Sequence, residues 1–244
     1  MIICCGEALI DMISEPDGAT FVPHVGGAVL NTAVALGRLG VPTSLITGLS
    51  SDPFGLMIKT ALAASRVSTA HAVHNDRNTT LAFVHLENGQ ATYSFYDDNT
   101  ATRKITTADL KTLPDDTEAI FFGGISLCNP PVADTLVEIA LAQPADKLVM
   151  IDPNIRPNFI TDKTAYSSRL KSLLIRADIV KLSDDDINWL IEGNASLVEK
   201  GHAVLAMGPK LLLLTQGSSG ATALIKGRKP VHVAATKVEI IDTV

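Results

Sequence analysis

Short apolar runs alternate along this chain with stretches in which apolar residues recur every three or four positions. Runs with the length of strands include IICCGEAL, SLITGL, AIFFGGI, KLVMIDP, IVKLS and LLLLTQG. The stretches with helical spacing are 29–39, 54–64, 132–141, 166–175 and 185–191. Runs such as LLLLT, which lack polar alternation, are typical of a parallel sheet covered on both faces. The pattern predicts an α/β fold in which βα units build one central sheet.

One region does not follow this rhythm. The segment TTLAFVHLENGQATYSFYDD places alternating runs on either side of Asn88-Gly89, a pair that favours a tight hairpin turn because both residues adopt positive φ. A hairpin inserted between βα units does not easily join the interior of a parallel sheet. We therefore expect a small β lid formed by about 12–25 and 79–100. No repeat or long linker divides the chain, so 1–244 is interpreted as one domain.

The composition favours small-molecule partners. The chain has 244 residues and a net charge of -6, and no Lys/Arg-rich tract would attract nucleic acid or an anionic membrane. Cys4, Cys5 and Cys128 lack the even number and regular spacing of a disulfide framework. The N-terminal run has neither a basic leader nor the length of a membrane span. We expect a cytoplasmic protein that binds neither nucleic acid nor membrane.

The segment HVGGAVLNTAVALGRLG, residues 24–40, combines two glycines with the start of a helix. Glycine lets the backbone pass close to another group, and a helix N-terminus offers unpaired N–H groups and a positive dipole end. Asn31, in the first helical turn, can cap the helix or hydrogen-bond a hydroxyl-rich ligand. Local physics leaves two interpretations open, which are a polar ligand site and close packing of the helix against the sheet.

The segment GGAVLNTAVALGRLG resembles the first signature of the ribokinase-like sugar kinases, also called the phosphofructokinase B family. Further segments similar to family motifs occur in the family's order over essentially the whole chain, namely GEALIDM, GLSSDPFG, DPNIRP, KLSDDD, TQGSSGA and IIDTV. The resemblance implies a Rossmann-type three-layer α/β/α sandwich with a small β lid. It also implies an ATP-dependent, Mg²⁺-requiring kinase that transfers the γ-phosphoryl group to a sugar hydroxyl.

Within the family, GEALIDM, DPNIRP and the lid sequence are most similar to fructokinases, which implies phosphorylation of D-fructose to fructose 6-phosphate. Two alternatives are a 2-keto-3-deoxygluconate or nucleoside kinase of the same family, and a truncated non-catalytic protein that binds sugar or nucleotide. A dinucleotide-dependent oxidoreductase is disfavoured because no GxGxxG follows the first strand.

The resemblance assigns sugar binding to residues from the first strand, the glycine turn and the lid. Asp11, at the end of the first predicted strand, matches a carboxylate that accepts hydrogen bonds from sugar hydroxyls, and a strand-end cap is its alternative role. The other predicted substrate-binding residues are Gly26, Gly27, Asn31, Phe83 and Tyr96. The two aromatic residues would close over the sugar and exclude water, or would pack only within the lid.

In DPNIRP, a strand end delivers Asn154 and Arg156 into a turn bounded by prolines. Such a turn at the carboxyl end of a parallel strand lies where ligands bind in open α/β sheets. Arg156 resembles the family's catalytic position near the transferring phosphate, where a guanidinium neutralises developing charge. Asn154 is assigned to the nucleotide side. A surface ion pair is the alternative for Arg156.

KLSDDD departs from the family's usual Asn-x-x-Glu, because Ser183 stands at the Asn position and Asp186 at the Glu position. The resemblance implies that Ser183 contacts the nucleotide and that Asp186 is the metal ligand. A carboxylate suits Mg²⁺ held largely through water. Three aspartates after a strand also fit a helix N-terminus, where negative charge favours the dipole.

TQGSSGA follows the LLLL strand, and its glycines allow a tight loop. Thr215, Gly217 and Gly220 match the family's ATP-binding segment. A simple hairpin turn between LLLLT and ATALIKG fits the local pattern equally well.

In the family, the segment similar to IIDTV is followed by Gly-Ala-Gly-Asp, whose aspartate takes the proton from the attacking hydroxyl. The printed chain stops before that segment. We expect that a domain lacking this C-terminal part would not transfer phosphate at a useful rate, whereas a longer version would be a normal kinase. The strand edges of the lid also favour a homodimer formed through the lid.

Overall fold

The computed structural model describes residues 1–15, 18–87 and 90–238. Its strands are β1 Ile2–Cys5, β2 Leu9–Ser14, β3 Phe21–Gly26, β4 Thr43–Ile46, β5 Gly48–Ser50, β6 Val67–Ser68, β7 Val73–Asn75, β8 Thr80–Glu87, β9 Gln90–Tyr96, β10 Ala119–Gly123, β11 Leu148–Asp152, β12 Ile179–Ser183, β13 Leu211–Thr215, β14 Ala221–Ile225 and β15 Val231–Val233. Its helices are α1 Ala28–Arg38, α2 Pro53–Ala64, α3 Val132–Leu141, α4 Lys163–Arg176, α5 Asp184–Leu190 and α6 Leu197–Met207.

A nine-stranded sheet forms the centre of the molecule, in the order β15-β14-β13-β12-β11-β10-β1-β4-β6. The strands from β6 to β13 in this order are parallel, and β14 and β15 extend one edge antiparallel. Residues of α3 to α6 share one apolar core with one face of the sheet, and residues of α1 and α2 share another core with β1 and β4. This arrangement confirms the predicted α/β class.

The first predicted strand is in fact two strands in different sheets. The chain leaves the central sheet after Cys5 and enters β2 at Leu9, so Asp11 lies inside β2 and not at the end of the first strand. The break falls at Gly6, where an added Cβ would lie 2.5 Å from Val29 and 2.8 Å from the Ser126 hydroxyl. Glycine permits this close approach.

A separate four-stranded sheet has the order β3-β2-β8-β9, with β2 and β8 parallel and the outer pairs antiparallel. We call these four strands the small sheet. One of its faces joins an apolar cluster with the loops of the central sheet, including Leu9, Ala82, Ile125 and the ring of Phe159. The Asn88-Gly89 turn lies outside the described residues, as do residues 239–244, which include IIDTV.

The expectation that helices cover both faces of the central sheet holds only in part. On β12 and β13, buried residues alternate with half-buried ones such as Lys181 and Leu213. Within the described residues, α3 to α6 pack against the face of β12 and β13 that carries the buried residues. Lys181 and Leu213 lie on the other face, which explains the alternation.

Helix α6 has no counterpart among the predicted helices, although it begins with a capping box between Ser196 and Glu199. Across the described part of the chain, no helix combines the length and the apolar character needed to cross a bilayer.

Candidate functional site

Some of the predicted site residues, among them Arg156, Asp186 and Gly217, lie on segments that follow strands at the carboxyl edge of the central sheet. The loops that follow β10, β11, β12 and β13 all leave from this edge, and the small sheet stands beside it through the contact between Phe95 and Phe159, whose ring centroids are 4.9 Å apart. Ligands bind at this edge in open parallel sheets. The fold therefore places one candidate site between the small sheet and these loops.

The glycine turn and Asp11 lie in direct contact. Gly26 ends β3 and Gly27, with φ of 109°, precedes α1. A Cβ on Gly26 would lie 1.8 Å from Asp11 Oδ2, so only glycine leaves room for this carboxylate. Burial raises the pKa of Asp11 above its ordinary value, and the charge of His24 on the neighbouring strand offsets only part of this rise. Asn31 lies one turn into α1 and is exposed, with its N–H donating to Gly27 O at 2.9 Å.

Glu7 is a buried carboxylate at this turn that the sequence motifs did not single out. It is 3% exposed and accepts hydrogen bonds from the Ser126 hydroxyl at 2.9 Å and the Ser126 N–H at 3.3 Å. Burial raises the pKa of Glu7 above its ordinary value, and hydrogen bonds from Ser126 and the Val29 N–H offset only part of this rise. Because the start of α1 has no side-chain cap of its own, Glu7 ties the helix N-terminus to the loop after β10.

The strand register separates Phe83 and Tyr96 from Asp11. Asp11 pairs with Ala82, and Ala82 pairs with Phe95, so Phe95 shares the face of Asp11. Phe83 and Tyr96 lie on the opposite face, with their rings in edge contact at 5.3 Å. The geometry therefore does not bring these two predicted lid residues to Asp11, and Tyr93 and Phe95 are the aromatic residues on its face.

Arg156 lies beside the small sheet. Its Nη1 donates to the carbonyl oxygens of Asn154 at 3.4 Å and Ile155 at 3.2 Å, and its guanidinium carbon is 5.9 Å from the centre of the Tyr93 ring. Asn154 adopts φ of 44° in the same loop, a left-handed conformation that asparagine tolerates better than most residues. The loop thus orients Arg156 toward the sugar side, and its contact with a phosphate stays a prediction.

Asp186 is occupied by backbone contacts. Its Oδ1 accepts the Ile155 N–H at 2.8 Å and its Oδ2 accepts the Ser183 N–H at 2.9 Å, while Ser183 Oγ accepts the Asp186 N–H at 3.0 Å. Ser183 and Asp186 form a capping box at the start of α5, and Asp186 is 4% exposed. These contacts give Asp186 a positioning role for the loop after β11, and metal binding by this residue stays a prediction.

Asp152 has a carboxylate oxygen to spare next to Asp186. Its Oδ2 pairs with Lys181 Nζ at 3.1 Å, and its buried Oδ1 has no partner among the described residues. Burial raises the pKa of Asp152 above its ordinary value. The charge of Lys181 offsets part of this rise, and the charge of Asp186 adds to it. No cluster of three or more His, Cys, Asp or Glu side chains in the described ranges could enclose a metal. The unpartnered oxygen of Asp152 instead suits Mg²⁺, which uses one or two carboxylates with water and phosphate oxygens.

Four predicted cofactor-binding residues line one cavity of about 620 Å³. They are Ser183, Thr215, Gly217 and Gly220. Gly220 has φ of 101°, and a Cβ there would lie 2.0 Å from Val233 O. The loop is also a hairpin between β13 and β14, as the alternative interpretation of this segment predicted. Nucleotide binding by the loop stays a prediction. Asn154 does not line this cavity.

A second cavity of about 870 Å³ lies beside the small sheet, and of the predicted substrate-binding residues only Phe83 and Tyr96 line it. It borders β9, the edge strand of the small sheet, so residues from both faces of that strand line it. Phe95, Asp97, Arg103, Asn129 and Phe159 are among its lining residues, together with Phe83 and Tyr96.

Known proteins share both this sequence and this fold. The family described as pfkB family carbohydrate kinase matches residues 1–244. A fructokinase from Rhizobium leguminosarum bv. trifolii is 45% identical over 255 residues, which cover 100% of this chain and 75% of the relative. The crystal structure of a fructokinase from Xylella fastidiosa with bound ATP superposes with a TM-score of 0.88 at 30% identity, over 99% of this chain and 76% of that one.

A sugar kinase from Pyrococcus horikoshii in complex with ATP has a TM-score of 0.87 at 27% identity, over 100% of this chain and 80% of that one. The structure is that of an α/β protein with one cavity at the β13–β14 loop and another beside the small sheet. The chain belongs to the pfkB family of carbohydrate kinases.

Proposed function

We propose that this protein is an ATP-dependent ketose kinase that converts D-fructose to fructose 6-phosphate. The meeting of Ser183 with Thr215, Gly217 and Gly220 at one cavity carries the proposal. Two separate segments matched to the family's nucleotide motifs, KLSDDD and TQGSSGA, come together there because Ser183 and Thr215 are paired on neighbouring strands. The 45% identity to a fructokinase supports fructose as the sugar.

The described residues supply binding and charge neutralisation. Asp11 accepts hydrogen bonds from sugar hydroxyls beside the Gly26-Gly27 turn, and Asn31 contributes a further amide. Arg156 neutralises charge on the transferring phosphoryl group, which is the main task of a phosphotransferase site. The resemblance places the proton acceptor in the Gly-Ala-Gly-Asp segment of the family, so no residue described here takes that role.

ATP occupies the cavity beneath the β13–β14 loop, and Mg²⁺ shields the phosphate charges when bound. Asp152 would hold the ion through its Oδ1, which has no partner among the described residues. Asp186, whose two carboxylate oxygens accept backbone N–H groups, would position the neighbouring loop. When no Mg²⁺ is bound, the ammonium group of Lys181 neutralises the charge of Asp152. Tyr93 and Phe95, on the face of Asp11, complete a lid that restricts water around the phosphate.

We also propose a homodimer formed through the outer face of the small sheet. Phe21, Phe83 and Tyr96 form an aromatic row there, with ring centroids 5.0 Å and 5.3 Å apart, and Tyr96 is 63% exposed. Apolar rings on a sheet face favour association. Tyr96→Asp should convert a dimer to a monomer in light-scattering measurements, and an unchanged mass would refute this interface.

We also propose that the protein is located in the cytoplasm. Cys4, Cys5 and Cys128 are all unpaired and buried, as suits a reducing compartment. Cell fractionation tests it, and recovery of the protein from an oxidising compartment would refute it.

The enzymatic proposal is tested by ADP release with a panel of sugars, measured on a version of the protein that carries the family's Gly-Ala-Gly-Asp segment. Fructose should give the highest kcat/KM. ATP consumption that does not depend on any sugar, or a clear preference for 2-keto-3-deoxygluconate or a nucleoside, would overturn the assignment.

A further inference from the structure

Glu7 is a buried carboxylate without a cationic partner. Its side chain is almost completely covered, with 3% of the residue exposed. None of the ion pairs among residues 1–15, 18–87 and 90–238 includes it. Burying a carboxylate is costly unless other groups satisfy it. Hydrogen bonds must therefore compensate for its burial, and they come from two separate segments of the chain.

The first segment is the start of helix α1. Gly27 occupies the N-cap position and has no side chain that could cap the helix. The N–H of Val29, in the first turn, donates to Glu7 instead, and a negative charge at this end of a helix also favours the dipole. Glu7 thus takes the part of the N-cap side chain of α1, although it lies in a different segment of the chain.

The second segment is the loop after β10. The Ser126 hydroxyl donates to Glu7 Oε2 at 2.9 Å, and the Ser126 N–H donates to the same oxygen at 3.3 Å. Gly124, in the same loop, has φ of 68°, and a Cβ there would lie 2.0 Å from Glu7 Oε1. The loop therefore leaves room for the carboxylate and holds it in place.

Glu7 also contacts the glycine turn itself. A Cβ on Gly27 would lie 3.1 Å from the carbonyl oxygen of Glu7 and 3.2 Å from its Cγ. Gly26, the preceding residue, lies against Asp11 Oδ2, which belongs to the carboxylate assigned to the sugar hydroxyls. A movement of Glu7 would therefore move the turn on which the position of Asp11 depends.

We propose that Glu7 is a positioning residue that fixes the Gly26-Gly27 turn, and with it Asp11, for sugar binding. The inference rests on the proposed function, because it concerns the residues that are assigned there to the sugar. Glu7 acts through these residues and not by contact with the sugar, since the start of α1 and Ser126 already occupy its carboxylate.

Glu7→Gln tests the proposal, because glutamine keeps the size of the side chain but replaces one carboxylate oxygen by an NH2 group, which cannot accept an N–H. Asp52→Asn is the matched control. Asp52 caps α2 and also binds a second segment, accepting the Gly55 N–H and the Thr79 N–H, each at 2.7 Å. None of the predicted site residues lies on α2. Both variants lose an acceptor at a helix start, so both should lower the melting temperature.

The readouts are the KM for the preferred sugar and the KM for ATP, measured on the same version of the protein as the sugar panel. Glu7→Gln should raise the KM for the sugar at least about tenfold, because misplacing a positioning group by ~1 Å costs about 100-fold in activity. It should leave the KM for ATP unchanged, and Asp52→Asn should change neither constant. A sugar KM that is the same in the two variants would overturn the proposal, because Glu7 would then serve only the stability of the fold.

Ser126→Ala decides the question if Glu7→Gln does not fold. It removes one hydrogen bond from Glu7 and leaves the carboxylate in place, so the KM for the sugar should rise roughly threefold and the KM for ATP should stay unchanged. A sugar KM equal to that of wild type would then overturn the proposal.

The wild-type protein separates a failure of this inference from a failure of the proposed function. If wild type phosphorylates a sugar and Glu7→Gln keeps the same KM for it, only the role of Glu7 is wrong. If wild type phosphorylates none of the sugars, the proposed function fails, and the role of Glu7 in sugar binding fails with it.

Discussion

A methyl group at Gly26 should impair sugar binding through Asp11 alone. In Gly26→Ala, the new Cβ would start 1.8 Å from Asp11 Oδ2, so the carboxylate must move by about 1.5 Å to reach van der Waals distance. The φ of Gly26 does not lie in the left-handed region, so alanine adds no backbone strain there. A displacement of ~1 Å in a positioning group costs about 100-fold in activity. We expect a loss of this size in kcat/KM for fructose, with the KM for ATP unchanged.

The assay is a double-mutant cycle of Gly26→Ala and Asp11→Ala, in which kcat/KM for fructose is measured for all four proteins. If the methyl group acts by displacing the carboxylate, it should have no further effect once the carboxylate is gone. Additive losses would refute this reasoning, since they would show that Gly26 supports the site independently of Asp11. A melting temperature close to wild type for Gly26→Ala would confirm that the fold is intact.

Three further predictions concern other parts of the molecule. Asp186→Asn should lower the free energy of unfolding by about 2–4 kcal/mol, because one of the two oxygens that accept backbone N–H groups becomes an NH2 group, which cannot accept them. Urea denaturation measures this loss. A variant with the stability of wild type but an altered dependence on Mg²⁺ would instead show that Asp186 is a metal ligand. Gly220→Ala should weaken ATP binding without affecting fructose, since a Cβ would lie 2.0 Å from Val233 O at φ of 101°; unchanged ATP titrations would contradict the placement of the nucleotide. Asp52 caps the N-terminus of α2, where its side chain accepts the Gly55 N–H. Burial raises its pKa, but hydrogen bonds from Gly55 and Thr79 outweigh this effect and hold the pKa below its ordinary 3.8. Its stabilising contribution is therefore complete at neutral pH and is lost as pH falls through the lowered pKa. Asp52→Ala should therefore cost about 1–2 kcal/mol at pH 7 and progressively less below pH 3.8, and an equal cost at both pH values would refute this linkage.

The helices and central strands could be predicted because each depends on a local pattern. The period of the apolar residues places α1 to α5 within a few residues of their positions, as for α3 at Val132–Leu141. Helix α6 was not predicted, although the Ser-x-x-Glu pattern at Ser196 is a helix-start signal. Residue type and spacing alone carry this information.

Features that depend on tertiary packing could not be predicted in the same way. The break at Gly6 lies within a run predicted to be one strand, IICCGEAL. Val29 and Ser126, from elsewhere in the chain, approach the backbone there. The face on which Phe83 lies depends on the register between β2 and β8, and a shift by one residue would reverse it. Glu7 and Lys181 acquire their roles only from partners distant in sequence.

The central claim is that this protein transfers phosphate from ATP to a ketose. Phosphorus-31 spectroscopy of the protein incubated with ATP, Mg²⁺ and fructose tests it most directly. The account predicts a sugar phosphate ester at the primary hydroxyl that appears in equal amount with ADP. Release of inorganic phosphate without a sugar ester, at a rate that fructose does not change, would contradict it.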